Sequence, residues 1–239
     1  MLLWHLAIDL PLVLLLIASP LRRMRVADGS FDHWLIRAWS SGMLRVFGFR
    51  TRRFGTPVAG AAMFVANHVS WIDIQALHSQ RMMGFVAKRE IQDWPLIGGM
   101  AVRAETIFHH RGSTESLGGV LHEMLARLRS GRSVGVFPEG GARGGGELGP
   151  FHARIFMAAV EAGVPVQPVA LRYGEGGSAQ RTVAFARGES FVGNFLRLLG
   201  EPPRVAEVHF LTPIEPCEAE GRRRLAELAR SRIVEAMAS

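Results

Sequence analysis

Ala62-Met63-Phe64-Val65-Ala66-Asn67-His68-Val69-Ser70-Trp71-Ile72-Asp73 is an apolar run that ends on a polar turn and restarts as a helix. Ala62 to Ala66 reads as a short buried strand, and Trp71 to Leu77 as a helix opening. Strand, turn and helix together form the unit from which α/β domains are built. The same alternation runs on in both directions. It predicts strands at 62–66, 83–87, 105–109, 133–137, 165–171, 181–186 and 205–211. Helices are expected at 71–79, 114–129, 152–162, 190–199 and 220–237. The expected fold is therefore α/β, with a largely parallel central sheet flanked by helices, over residues 48–239. No internal repeat or long linker interrupts it.

Residues 1–47 read differently. The first twenty-one are nearly all apolar and are followed by Arg22, Arg23 and Arg25. A cleaved signal peptide carries its positive charge before the apolar run, not after it. Asp9, His5 and Pro11 lie inside the run, and a charge near the centre of a spanning helix is costly. The expectation is a membrane-associated helix that dips into one leaflet of the cell membrane, its arginines at the cytoplasmic headgroups. A single span with its C-terminal side inside fits the charge pattern nearly as well. Phe31 to Phe47 then form an amphipathic helix bearing Trp34 and Trp39.

At 239 residues the chain has room for one large domain and a short extra element. An apolar share of 48% excludes disorder, and a mean hydropathy of +0.15 suits membrane contact. Net charge is +7, nearly all of the positive charge arginine, since Lys88 is the only lysine. Arginine's planar fork suits bidentate phosphate contacts, so anionic lipid headgroups and phosphate-bearing substrates are the expected partners. Aromatic residues interleaved with basic ones are too few for a single-strand nucleic-acid surface, so no nucleic acid is expected. The lone cysteine, Cys217, forbids an intrachain disulfide and reads as a buried, inert thiol.

His68 falls in the strand-to-helix turn, an exposed rim position, and Asp73 in the first helical turn can fold back onto it. Histidine is the usual general base near neutral pH, and a carboxylate that fixes its tautomer improves it. A second reading is open: Ser70 and Asp73 form a capping box, and His68 is an ordinary loop histidine. Further along, Phe137-Pro138-Glu139-Gly140 ends a strand so that Glu139 stands at the sheet's C-terminal edge, where α/β sheets bind ligands. Arg111 follows another predicted strand, and the loop from Gly140 to Gly146 with Arg143 could wrap an anion. His109 and His110 are adjacent and face opposite ways on a strand, so no metal site is expected. There is no GxSxG elbow and no phosphate-binding loop ending in lysine-serine or lysine-threonine.

Four segments in this order resemble the glycerophospholipid (lysophospholipid) acyltransferase family, the PlsC type. They are NHVSWID from Asn67 to Asp73, ETIFHHR ending at Arg111, FPEG at 137–140, and Val164-Pro165-Val166-Gln167-Pro168-Val169. The stretch from Phe85 to Gly98 is also similar. The resemblance spans about residues 60 to 175 and implies acyl transfer from a thioester to a lysolipid hydroxyl. His68 would be the base and Asp73 its partner; Asn67, Arg111, Glu139 and Gly140, with Lys88 and Arg143, would bind the acceptor. The implied donor is acyl-CoA or acyl carrier protein, with no cofactor. The sequence departs from the family at Glu105, where glycine is usual, and at Gly141-Ala142, where threonine-arginine is usual. The insert from Gly144 to Phe151 is similar to a subgroup acting on lyso-ornithine lipid, which offers a second acceptor beside 1-acyl-glycerol-3-phosphate. Two rivals of other classes are a lipid hydrolase, which lacks its nucleophile motif here, and a non-catalytic basic peripheral membrane protein.

Overall fold

The computed structural model describes residues 2–26, 29–94, 97–109, 114–142 and 144–238. Seven strands form the main sheet: β1 (Phe49–Phe54), β2 (Met63–Ala66), β3 (Gly84–Lys88), β4 (Ile107–His109), β5 (Val134–Val136), β6 (Val166–Tyr173) and β7 (Arg204–Phe210). They lie in the order β1-β7-β6-β2-β5-β3-β4. β2 to β6 are mutually parallel, while β1 and β7 run together in the opposite direction, meeting β6 antiparallel. The sheet is thus largely parallel, with one antiparallel seam.

Parallel strands are covered on both faces, and β2 shows why: all four of its residues are buried. Met63 and Val65 point into a cluster with Val134, Val136, Met124 and Phe156. Phe64 and Ala66 point the other way, against Ala76, Leu77, Phe85 and Leu171. Burying side chains of this size contributes about 1.5–3 kcal/mol each. The helices are α1 (residues 2–18), α2 (Phe31–Val46), α3 (Ile72–Gln80), α4 (Ile97–Arg103), α5 (Thr114–Arg129), α6 (Met157–Ala162), α7 (Gln180–Val183), α8 (Phe191–Leu199) and α9 (Gly221–Ala238). α5, α6 and α9 pack on the Met63 face. α2 and α3 cover the other, with α1 laid over α2.

Three elements differ from the sequence reading. β1, Phe-Arg-Thr-Arg-Arg-Phe, was not expected as a strand because its charges mask the alternation; it is an edge strand, where exposed arginines discourage further pairing. α4 was likewise not expected. The strand predicted at 181–186 is instead the short helix α7. β6 is already flanked by β2 and β7, so no edge is open to it. Val183 and Ala184, adjacent in sequence, are both buried in one cluster, which a strand's alternation forbids.

α1 is continuous through a π-helical stretch, His5–Asp9, bounded by α-helical Leu2–Trp4 and Leu10–Ala18. The polar groups inside the apolar run find partners there. His5 Nδ1 meets Asp9 Oδ2 at 2.9 Å, and His5 Nε2 meets the Trp39 carbonyl at 3.1 Å. Leu3, Ile8, Leu12 and Leu15 stay exposed on the opposite side. Among the described residues no helix is long and apolar enough to cross a membrane. In α2, Trp34 is exposed and Trp39 buried. Trp39, Met43, Leu44 and Phe47 share a cluster with Phe49, Val69, Ile72 and Tyr173.

Candidate active site

Because β2 to β6 are parallel, their C-terminal ends share one edge of the sheet, and the candidate residues gather there. β2 ends at Ala66 and delivers His68. Its imidazole Nδ1 lies 2.7 Å from Asp73 Oδ2, the carboxylate fully buried and the imidazole side chain 19% exposed. Both sequence readings of Asp73 hold at once. The same Oδ2 accepts the amides of Val69 (2.6 Å) and Ser70 (2.9 Å), the reach-back of a capping box. The helix cap therefore fixes the carboxylate, and the carboxylate fixes the imidazole. With Nδ1–H donating to Asp73, neutral His68 presents Nε2 as its acceptor.

The imidazole is also held from its flat side. Phe137, the first residue of FPEG, stacks on His68 at 4.1 Å and 14°, and Phe85 stacks on Phe137 at 5.4 Å and 6°. Asp73 Oδ1 accepts the Tyr173 hydroxyl at 2.6 Å. Burial, and then the Asp73 carboxylate, push that phenol well above the usual tyrosine range. Sequence reasoning missed Phe137 and Tyr173 as site residues. Phe137 carried a signal, its place in FPEG; Tyr173 carried only its position after the Val-Pro-x-x-Pro strand.

The remaining expected residues divide. Glu139 is buried, and its two oxygens accept the His68 amide (3.0 Å) and the Gly149 amide (2.9 Å). It braces the backbone of His68 and ties the glycine loop to the sheet edge. Gly140 follows at φ +76°, a conformation glycine adopts without strain. Asn67, expected among the acceptor-binding residues, has a structural partner. Its side chain is buried and exchanges two hydrogen bonds with Leu171, Nδ2 to the carbonyl (2.9 Å) and Oδ1 from the amide (2.8 Å). It splices the β2 turn to β6. Lys88 ends β3, exposed, at the same edge two strands from β2. Arg111 and Arg143 lie outside the described residues. Cys217 is exposed, not buried as expected, because it sits in the short helical turn Pro216–Glu218 at the surface. The crevice beside His68, Glu139 and Gly146 holds only about 10 Å³, too little for a lipid or a thioester.

A family model described as Acyltransferase matches residues 51–172, just over half of the chain. The chain belongs to the acyltransferase family. A lyso-ornithine lipid O-acyltransferase of Pseudomonas aeruginosa is 34% identical over 200 residues, 83% of this chain and 76% of that protein. A 1-acyl-sn-glycerol-3-phosphate acyltransferase of Neisseria gonorrhoeae is 40% identical over 111 residues, 46% of this chain and 44% of its own length. The crystal structure of the 1-acyl-sn-glycerophosphate acyltransferase PlsC from Thermotoga maritima matches with a TM-score of 0.72 at 19% identity, covering 99% of this chain and 94% of that one. That last likeness is one of fold. Within the acyltransferase match fall His68, Asp73, Phe137 and Glu139, the residues the geometry brings together.

Proposed function

We propose that this acyltransferase moves a fatty acyl group from a thioester, acyl-CoA or acyl carrier protein, to the free hydroxyl of a lysolipid such as 1-acyl-glycerol-3-phosphate. The observation that carries the reading is the buried Asp73 carboxylate 2.7 Å from His68 Nδ1, which leaves Nε2 as the imidazole's acceptor. In the reaction His68 Nε2 takes the acceptor hydroxyl's proton as that oxygen attacks the thioester carbonyl. Collapse of the tetrahedral intermediate breaks the C–S bond, and the imidazolium returns the proton to the leaving thiolate. Asp73 stabilises the imidazolium between these steps. No acyl-enzyme is needed, because the acceptor oxygen is itself the nucleophile. Arg111, Lys88 and Arg143 are assigned to the acceptor's anionic headgroup, where an arginine fork suits phosphate. Glu139 and Gly140 shape the edge at which the acceptor binds.

A second acceptor has its own support. Similarity to the lyso-ornithine lipid enzyme runs over 83% of this chain, against 46% for the glycerophosphate enzyme. The exposed leucines and isoleucine of α1 fit a helix lying in one leaflet, which would bring the sheet edge to an insoluble acceptor at the cytoplasmic face of the cell membrane. The test is purified protein with a panel of lysolipids and both donor types, read by lipid mass spectrometry, beside His68→Ala. Transfer is expected from wild type, falling at least about a hundredfold in His68→Ala. Near-normal turnover in that variant would refute the mechanism. Acylation of lyso-ornithine lipid with lysophosphatidic acid ignored would move the acceptor to the second reading.

A further inference from the structure

Asp73 is fully buried, and a buried carboxylate stays ionised only if donors surround it. His68 is one donor among four. Oδ2 is shared by His68 Nδ1 and the amides of Val69 and Ser70, all from one short turn of chain. Oδ1 depends on a residue a hundred positions away, the Tyr173 hydroxyl at 2.6 Å.

Nothing about that hydroxyl's placement is loose. Tyr173 ends β6, and its side chain is 1% exposed. Two residues earlier, the paired hydrogen bonds between Asn67 and Leu171 lock the His68 turn to this strand. The Tyr173 amide donates to Gln180 Oε1 at 2.9 Å, and its carbonyl accepts the Ala179 amide at 2.7 Å. Its ring stands edge-on to Phe49 at 5.7 Å. Strand, loop and the edge strand β1 all converge to aim one oxygen at Asp73.

We propose that Tyr173 is a positioning residue of the dyad, whose hydroxyl bond to Asp73 sets how basic His68 is. The proposal rests on the reading of His68 as the general base. A carboxylate in a dry site beside an imidazolium has two options: remain an anion, or take the proton. The Tyr173 hydroxyl, with the two amides, spreads and stabilises the negative charge on Asp73. The proton taken from the acceptor hydroxyl then stays on His68, where the leaving thiolate can recover it. Burial and the adjacent carboxylate keep the phenol protonated far above neutral pH, so it remains a donor throughout the working range. Among the described residues, the other titratable groups beside the pair are Glu139, which holds the His68 amide, and Glu147, which lines the crevice next to it. Arg172, next to Tyr173, turns to the opposite sheet face, toward Glu207 at 3.3 Å.

Tyr173 is the only tyrosine in the chain, which permits a test in both directions. Tyr173→Phe removes the bond and keeps the ring. The less-solvated carboxylate then holds imidazolium more tightly, and the acidic limb of the kcat/KM profile should move up by about half to one pH unit. Turnover on the plateau should fall about tenfold with both KM values within about twofold, since nothing that touches substrate has changed. Growth on 3-fluorotyrosine replaces this one side chain with a stronger donor of nearly the same size, and the limb should move down. Profiles from both proteins that superimpose on wild type would overturn the proposal. Should Tyr173→Phe fail to fold, the fluorinated protein decides alone. His68→Ala is run beside them. Wild-type turnover there defeats the general-base reading itself, whereas an inactive His68→Ala with an unmoved limb defeats only the role of Tyr173.

Discussion

Gly135, in the middle of β5, has no side chain on the face where the aromatic stack is built. A Cβ there would come 2.5 Å from Phe85 Cε1 and 2.8 Å from Met83 Sδ. Phe85 supports Phe137, which supports His68, so a single missing methyl gives the imidazole its backing. Gly135→Ala should cost about 1–3 kcal/mol by overpacking and lower turnover several-fold. Urea denaturation and steady-state kinetics check this; an unchanged midpoint with unchanged kcat would show that the stack tolerates the displacement. Glu105 is the complementary case. It is the one non-glycine residue with positive φ among those described, at +57°, and it stands where the family's pattern has glycine. Its carbonyl accepts Arg127 Nη1, a backbone contact that any residue keeps. Its side chain meets Arg132 at 3.4 Å, a half-exposed pair worth little. Glu105→Gly should therefore leave stability within about 0.5 kcal/mol of wild type, while Glu105→Val should lose about 1–2 kcal/mol to left-handed strain. Urea midpoints of the two variants decide it, and equal values would sink the argument.

At the scale of elements, the joint between α1 and α2 turns on Gly42. His5 fills the space over it, stacked on Trp39 at 5.3 Å and 10°, and a Cβ at residue 42 would lie 2.5 Å from His5 Cε1. The helices approach closely because that side chain is missing. The π-helical stretch carries His5 to the Trp39 carbonyl while Asp9 takes its other nitrogen, so two polar groups in an apolar helix become a fastener. Gly42→Leu should lever α1 away from α2. Residues 2–18 should become more susceptible to protease, and activity on bilayer lysolipid should fall more than on a short-chain soluble acceptor. Limited proteolysis and a paired assay test this. Equal losses on both acceptors would place the damage in the catalytic domain instead.

Across the whole molecule, pH acts through a buried histidine behind the aromatic stack. His78 in α3 is buried, with Nε2 2.9 Å from the Met83 carbonyl and its ring edge-on to Phe85. Burial lowers its pKa from 6.5 to about 4; the Met83 bond opposes this and the charge of His33 adds to it. The unfolded chain binds this proton first as pH falls. Stability is therefore fully present above about pH 6.5 and declines as pH drops toward 4, by a few kcal/mol at most. Denaturation series from pH 8 to 4.5 should show that decline in wild type and a flatter one in His78→Gln. A slope unchanged by the substitution would assign the acid sensitivity to the carboxylates alone.

Local chemistry made much of this protein legible in the chain itself. Apolar runs of strand length and helical spacing placed six of the seven strands and the principal helices, because period and burial are properties of neighbouring residues. The dyad was legible for the same reason: His68 and Asp73 stand five residues apart, within one turn, and their pairing needs no distant strand. The Arg-rich β1 was not legible, since only its pairing with β7 makes it a strand. Nor was the helix at 180–183, whose Val183 and the following Ala184 are buried together in one cluster. The bonds between the Asn67 side chain and Leu171 were not legible either, since they join residues a hundred and four positions apart. Phe137 and Tyr173 complete the site from β5 and β6, and their approach depends on strand order. Strand order is set by how whole hydrophobic faces pack, which residue spacing along the chain does not encode; only the tertiary structure brings the one tyrosine to the carboxylate.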